Sequence, residues 1–261
     1  MATQRARWAI PRIVSPGFYR SLRIRLEKPS SFYSSVLLKL VPSLHRGPRT
    51  LELKDGKTLL VRSFMTLYIF EEIFLTGVYD VDVKEVNSII DIGANTGLFV
   101  LRAKQRWPNA KIIAFEPEPG NYSALCETIK INGLEAVTAV KAAIAPERGS
   151  VTLYRHPRNI GGHSTVFRHS NDSVQVQCQT ISDALSLCPD GRCDLLKVDC
   201  EGAEASIFSS FSPEMAARVR TIVYEPSEGC SEVNRCLEAL GFTTCGYKGN
   251  VIARRKQENV A

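Results

Sequence analysis

The sequence predicts an α/β fold built on a doubly wound, mostly parallel sheet, with an inserted antiparallel β element and an N-terminal extension. Three observations carry this. Apolar, β-branched runs, of which Ile89-Ile90 and Ile92 are the clearest, read as strands buried on both faces and alternate with helical patterns. Between residues 150 and 181 the period changes to strict alternation, the mark of antiparallel strands. The chain has 261 residues, 44% of them hydrophobic and 23% charged, enough to fill one core of this kind.

Residues 1–50 read as a basic arm and 51–261 as the folded domain. The arm holds ten Lys or Arg against one acid, Glu27, so a chain of net charge +6 has a body of net −3. Arg5, Arg7, Arg12, Arg20, Arg23, Arg25 and Lys28 precede the stretch SSFYSSVLLKLVPSL. That composition leaves three readings open: a solvated arm, a contact with an anionic membrane or acidic partner, and an organelle transit segment. No apolar run approaches the roughly 18 residues of a spanning helix. Lys39 and Pro42 interrupt the best one. The expected location is cytoplasmic, with membrane association or organelle targeting through residues 1–50 as the alternatives.

The eight cysteines are spread as free thiols of a reducing compartment would be. Cys126 falls in a predicted helix, Cys178 and Cys200 in or beside predicted strands, and there is no C-x-x-C. Cys188/Cys193 and Cys230/Cys236 are the pairs left open, and the histidines are too scattered for a zinc site.

After the arm, TLELKDGKTLLVR predicts a hairpin around Asp55-Gly56. Phe70, Ile73 and Phe74 lie at helical spacing, with Gly77 as a stop. A strand over 88–93 leads to a helix near 97–106, ended by Pro108, and a second strand over 111–117. NYSALCETIKING predicts a helix with Tyr122, Leu125 and Ile129 on one face and Gly133 as its C-cap. AVTAVKAAIA reads as a third strand. SVTLYRH and SVQVQCQTI then alternate around the loop RNIGGHST, as an inserted β structure. The parallel pattern resumes with CDLLKVDCEGAE, a strand entering a helix near 202–210, and with RTIVYEP. SEVNRCLEALG is a helix stopped by Gly241, and GFTTCGYKGNVIARR closes as a hairpin turning at Lys248-Gly249-Asn250. Strands alternating with helices and ending in a hairpin give a mostly parallel sheet with at least one antiparallel strand.

The stretch SIIDIGANTGLFVLR carries the first sign of a site: a strand, a glycine turn and a helix whose N-terminal N–H groups are free for a ligand. Its spacing, Gly93-x-x-x-Gly97, breaks the G-x-G-x-x-G of dinucleotide-binding dehydrogenases, and no phosphate-binding lysine follows, so it is not a P-loop. Asp91 precedes the first glycine, and Glu116 ends the next strand 25 residues later. A carboxylate there can accept both hydroxyls of a ribose.

D-x-G-x-N-x-G with a later acid at a strand end resembles the S-adenosylmethionine site of class I methyltransferases. With LLKVDCEGAE (195–204), AFEPEPGNY (114–122), AAIAPERG (142–149) and GGHST (161–165), the chain from about residue 51 onward resembles the FkbM family of methyltransferases. The resemblance implies a seven-stranded class I methyltransferase sheet, S-adenosyl-L-methionine as cofactor, and O-methylation of a small-molecule or glycan-like hydroxyl. Carried over by position, Asp91, Gly93, Ala94, Asn95 and Gly97 would surround the methionine and ribose end of the cofactor. Glu116 would take the ribose hydroxyls, and the backbone at Ala142-Ala143 would meet the adenine.

Ligands of open parallel sheets bind outside the carboxyl ends of the strands, where Lys197, Asp199, Glu201 and Glu225 fall. Lys197 and Asp199 point to one face of their strand, so an ion pair between them is expected, serving either chemistry or the 199–202 turn. A hydroxyl acceptor needs a base. The candidates are His163, whose unperturbed pKa of about 6.5 suits the task, Asp199 and Glu201. A divalent cation on Asp199 and Glu201 would be another route, but two carboxylates are too few ligands to assign one, and no metal is expected. Glu225 would bind a substrate hydroxyl or cap the turn before Pro226. Trp107 and Tyr122 read as packing residues. Loops over the sheet edge at 150–180 are where acceptor choice is expected.

Rival functions are methylation of RNA or of a protein side chain, a non-catalytic, membrane-associated cofactor-binding module, and a nicotinamide oxidoreductase. An acidic body without a basic, aromatic-bearing stripe disfavours nucleic acid. The sequence VDCEG stands where an N-P-P-Y amino-methylation signature would be.

Overall fold

A computed structural model describes residues 15–40, 49–157, 159, 161–168, 170–227 and 229–255, with the side chains of 38–40 excepted. Arg5, Arg7, Arg12 and Pro42, named above, lie outside the described residues. Two compact units divide between Leu75 and Thr76.

In the first unit, α1 (Pro16–Arg25) starts at Ser15, whose side chain accepts from the Phe18 N–H, and α2 (Pro29–Leu40) follows. The expected hairpin is present as β1 (Arg49–Glu52) and β2 (Thr58–Val61), turning through Gly56 at φ +79°. Its extension meets the end of α1 in a Leu26–Leu53 bridge, which is why the division falls beyond the hairpin. Phe18, Leu22, Phe32, Leu51 and Leu59 are buried here. The helix α3 (Phe64–Phe70) opens on a Ser63–Thr66 capping box and continues as one π-helical stretch, Glu71–Thr76.

In the second unit, β3 (Ser88–Ile92), α4 (Leu98–Arg106), β4 (Lys111–Phe115), α5 (Pro119–Ile131) and β5 (Val137–Val140) form one half of the sheet. The other half uses α6 (Ile181–Ser186), β9 (Cys193–Val198), α7 (Glu204–Ser209), α8 (Pro213–Ala217), β10 (Val219–Tyr224), α9 (Cys230–Ala239), β11 (Phe242–Tyr247) and β12 (Asn250–Arg255). The order across the sheet is β5-β4-β3-β9-β10-β12-β11. The chain starts at the centre with β3, winds outward to β5, then returns to β9 on the other side of β3. Of the seven strands, β12 alone runs opposite to the rest. The fold is therefore the seven-stranded, mostly parallel α/β sheet expected. Every residue of β3 is buried, as a central strand covered on both faces requires.

Helices α1 and α2 form within the segment read as a basic arm, and α6 and α8 fall where no helix is expected. Three further elements depart from the expectation. The run AVTAVKAAIA is two strands: β5 ends at Val140, the exposed Lys141 turns the chain, and β6 (Ala143–Ile144) joins a separate three-stranded sheet. That sheet pairs β6 with β8 (Ser173–Gln179), and β8 antiparallel with β7 (Gly149–Tyr154). Strand β4 stops at Phe115, leaving Glu116 just past its end. The buried face of α5 is Asn121, Ala124, Leu125 and Thr128, while Tyr122 and Ile129 are half-buried. Here the 3.6-residue period was right and the phase was wrong by one position.

All eight cysteines are free. No helix among the described residues is long and apolar enough to cross a membrane.

Candidate active site

The glycine turn sits at the carboxyl end of β3. Gly93 (φ +80°) and Gly97 (φ +87°) hold left-handed backbone, and so does Asn95 between them (φ +50°). Gly93 and Ala94 both donate their N–H groups to the Phe115 carbonyl. A side chain at Gly93 would collide with the Asp199 carbonyl. The backbone that approaches this glycine is thus the chain's own β9 exit, with Asp199 N–H donating to the Ile92 carbonyl.

Strand register decides the charges. Asp91 and Lys197 are direct partners across β3 and β9. Lys197 Nζ lies 2.8 Å from Asp91 Oδ1 and 2.9 Å from the Gly93 carbonyl, and only 3.9 Å from Asp199 Oδ2. The principal partner of Lys197 is therefore Asp91, one strand away. The expected contact with Asp199 exists as a longer arm of the same cluster. Burial alone would lower the Lys197 pKa, but the Asp91 and Asp199 carboxylates outweigh it and raise it, so the ammonium stays charged. Asp91 is fully buried, and its Oδ2 has no hydrogen-bond partner among the described residues; Thr96 Oγ1, in the same turn, shares that condition.

Glu116 lies beside them, past β4. Its Oε2 accepts from Asn95 N–H and its Oε1 from Glu118 N–H, both at 2.8 Å. One carboxyl thus ties the glycine turn to the start of α5. Burial pushes its pKa up to about 7, against the pull of those two N–H groups. Ala143 is buried in β6, and Ala142 N–H donates to the Val140 carbonyl at the point where the chain leaves the sheet.

Asp199 is more open, with its side chain one-quarter exposed. Its Oδ2 accepts from the Tyr79 hydroxyl at 2.7 Å. Tyr79 is a residue that the sequence reading missed. It follows the Gly77 stop with no periodic signal, and only tertiary contacts place it. Its ring meets Phe99 of α4 edge-on at 5.4 Å, and Lys197 Nζ lies 5.4 Å from its centroid. Next to it, Asp80 takes a forked pair of bonds from Arg102 of α4 (2.9 and 2.6 Å). Tyr247 O–H donates to the Asp80 carbonyl from the C-terminal hairpin.

The loop after β9 is fixed from below by Glu204, another residue the sequence reading did not single out. Its carboxylate accepts from Cys200 N–H, Gly202 N–H and the Ser227 hydroxyl. Glu201 stands in left-handed backbone (φ +53°). Carboxylate oxygens of Asp199, Glu201 and Glu225 come within 4.8 Å of one another, the one group among the described residues close enough to share a cation. A cluster of acids on its own assigns none, and no metal is assigned.

His163 belongs to a different set. Its Nδ1 accepts from His156 N–H at 3.0 Å, so the neutral ring carries its proton on Nε2. Burial lowers its pKa, and its electrostatic neighbours are Glu118, Arg155, His156 and Asp172. In that arrangement it is a hydrogen-bond donor at neutral pH, with its basic nitrogen occupied. Its neighbour Ser164 is the residue that reaches the rim. The Ser164 hydroxyl donates to the Glu201 carbonyl at 2.7 Å and accepts from Val166 and Phe167 N–H. Phe167 then lies where a side chain at Gly202 would be.

A doubly wound sheet with a glycine turn between two buried acids, and a third acid presented at the same rim, is a Rossmann-like fold with its candidate site at the carboxyl ends of the strands. Residues 91–248 match the family model of the methyltransferase FkbM domain, and the chain belongs to that family. Methyltransferase sdnD of Sordaria araneosa is 33% identical over 211 residues, spanning 67% of this chain and 81% of that protein. The 31-O-demethyl-FK506 methyltransferase FkbM of Streptomyces tacrolimicus is 24% identical over 249 residues, spanning 81% and 95%. A solved methyltransferase FkbM from Methylobacillus flagellatus covers 72% of this chain and 53% of its own, with TM-score 0.49 and 13% identity.

Proposed function

We propose that the protein is an S-adenosylmethionine-dependent O-methyltransferase acting on a hydroxyl of a small-molecule or glycan-like acceptor. The observation that carries this is the pair of buried acids, Asp91 in β3 with an unpartnered Oδ2 and Glu116 just past the end of the neighbouring β4, flanking the Gly93–Gly97 turn. A buried carboxylate oxygen without a donor is costly unless a ligand supplies one. The cofactor's ammonium is a donor suited to Asp91, and its ribose hydroxyls to Glu116. Ala143 and the adjoining backbone border the adenine in this reading. When bound, S-adenosylmethionine supplies a methyl group on a sulfonium, the electrophile of the reaction.

The chain's own residues then have to orient the acceptor and take its proton. Asp199 is the base: partly open, at the rim, with its Oδ2 held by the Tyr79 O–H and the Lys197 ammonium 3.9 Å away as a longer ion-pair neighbour. Glu201 and Glu225 accept hydroxyls of the acceptor beside it. Ser164 holds the inserted loop against the Glu201 carbonyl. The name of the Streptomyces relative, whose acceptor is a 31-O-demethyl compound, supports an oxygen as the methylated atom.

Labelled S-adenosylmethionine incubated with fractionated small metabolites, glycans, RNA and protein tests the reading. Label is expected in a hydroxyl of the first two fractions. Asp199→Asn is expected to bind cofactor normally and lose about a hundredfold or more in kcat, the usual range for a lost general base. Label entering RNA or protein, or full turnover by Asp199→Asn, would overturn it.

A further inference from the structure

The first unit bears a surface that the methyltransferase site does not use. We infer that the outward face of α1 and α2 docks on an anionic lipid surface. On α1 the residues facing inward are Phe18 and Leu22, both buried. The opposite arc consists of Tyr19, Arg20, Arg23 and Ile24, all exposed, with Tyr19 at 46% and Ile24 at 63%. Positions 19, 20, 23 and 24 fall on one side of a 3.6-residue helix. The patch continues onto the second helix. Tyr19 stacks on Tyr33 of α2 at 6.4 Å, and Leu37, one turn further along α2, is 58% exposed. Tyr33 itself is half-buried, and Leu37 is the exposed tip on that helix.

Three of the six large hydrophobic side chains that the described residues expose lie on these two helices. Clustering, rather than exposure as such, makes them informative. The chemistry of the patch fits the water–lipid boundary. Its aliphatic tips enter the acyl edge, its tyrosines have the amphipathic form that collects at headgroup depth, and its arginines keep their charge outward on apolar stems. Over residues 15–40 there are five Lys or Arg and one acid, Glu27, and none of the six patch residues is acidic. That sign selects anionic headgroups. A second copy meeting this face across a two-fold axis would set arginine against arginine.

The test is co-sedimentation of the full chain with phosphatidylcholine vesicles and with vesicles holding about a third phosphatidylserine. Binding is expected on the second kind only. Arg20→Glu with Arg23→Glu is expected to weaken it by about tenfold or more, and Ile24→Ser with Leu37→Ser by about fivefold. All four side chains are exposed, so unchanged thermal melts are expected to accompany both losses. No binding, equal binding to both vesicles, or wild-type binding by the charge-reversed variant would overturn the inference; the last would assign adhesion to the basic residues ahead of α1.

Discussion

Lys197 carries two tasks at once. It neutralises Asp91 at the foot of the site and stands beside Asp199 at the rim, so the two carboxylates are coupled through one ammonium. Removing one partner of a buried pair leaves an uncompensated charge, which typically costs about 3–5 kcal/mol. Lys197→Met is therefore expected to lower the melting temperature sharply as well as activity, and differential scanning calorimetry would show it. Tyr79→Phe separates these effects, since it keeps the ring on Phe99 and deletes only the hydroxyl. Its expected result is a kcat about tenfold lower with cofactor affinity unchanged, the pattern of a lost positioning contact. In a double-mutant cycle, adding it to Asp199→Asn should cost little more, because the hydroxyl acts through that carboxylate. Additive losses would detach Tyr79 from Asp199.

At the scale of elements, the rim is assembled from loops that belong to different parts of the chain. The exit of β9 is bound by Glu204 beneath, by Ser164 from the inserted sheet above, and by Tyr79 from the segment ahead of β3. Gly202 (φ +106°) is the point of closest approach, where Phe167 occupies the place of a side chain. Gly202→Ala is accordingly expected to push the inserted loop away. The prediction is a fall in activity with a loss of about 1–3 kcal/mol from overpacking and backbone strain. Adding Phe167→Ala should recover part of the activity by removing the clash; no recovery would leave backbone strain as the whole effect.

For the molecule as a whole, Glu116 links the site to stability. Its carboxyl keeps its proton up to about pH 7 in the folded chain, against 4.5 for an ordinary glutamate. Between those values the folded state binds more protons than the unfolded one. Stability from this group is thus complete below pH 4.5 and declines as pH rises through 7, by up to roughly 3 kcal/mol. Unfolding midpoints of the cofactor-free protein should fall over that interval, and Glu116→Gln should flatten the slope whatever it does to the midpoint itself. An unchanged slope in that variant would mean that other groups set the pH response.

Periodicity and punctuation in the chain determined the order of the sheet strands and the helices that follow β3, β4, β9 and β10, because burial on one or two faces writes itself into local pattern. The two helices within the basic segment and the short ones at Ile181–Ser186 and Pro213–Ala217 left no such signal. Ile89-Ile90, the alternation at 173–179 and the Lys248-Gly249 turn needed no tertiary information, and the DIGANTG and LLKVDCEGAE segments marked where acids would gather. The pairing of those acids was decided by the folded structure alone. Asp91 meets Lys197 because β3 and β9, more than a hundred residues apart, lie in register. Tyr79 meets Asp199 because α4 and the closing hairpin pin its segment, and β6 leaves the main sheet because its hydrogen-bond partner is β8. Side-chain period is a property of neighbours in sequence, whereas register and loop contact are properties of neighbours in space, and only the second kind assembles this site.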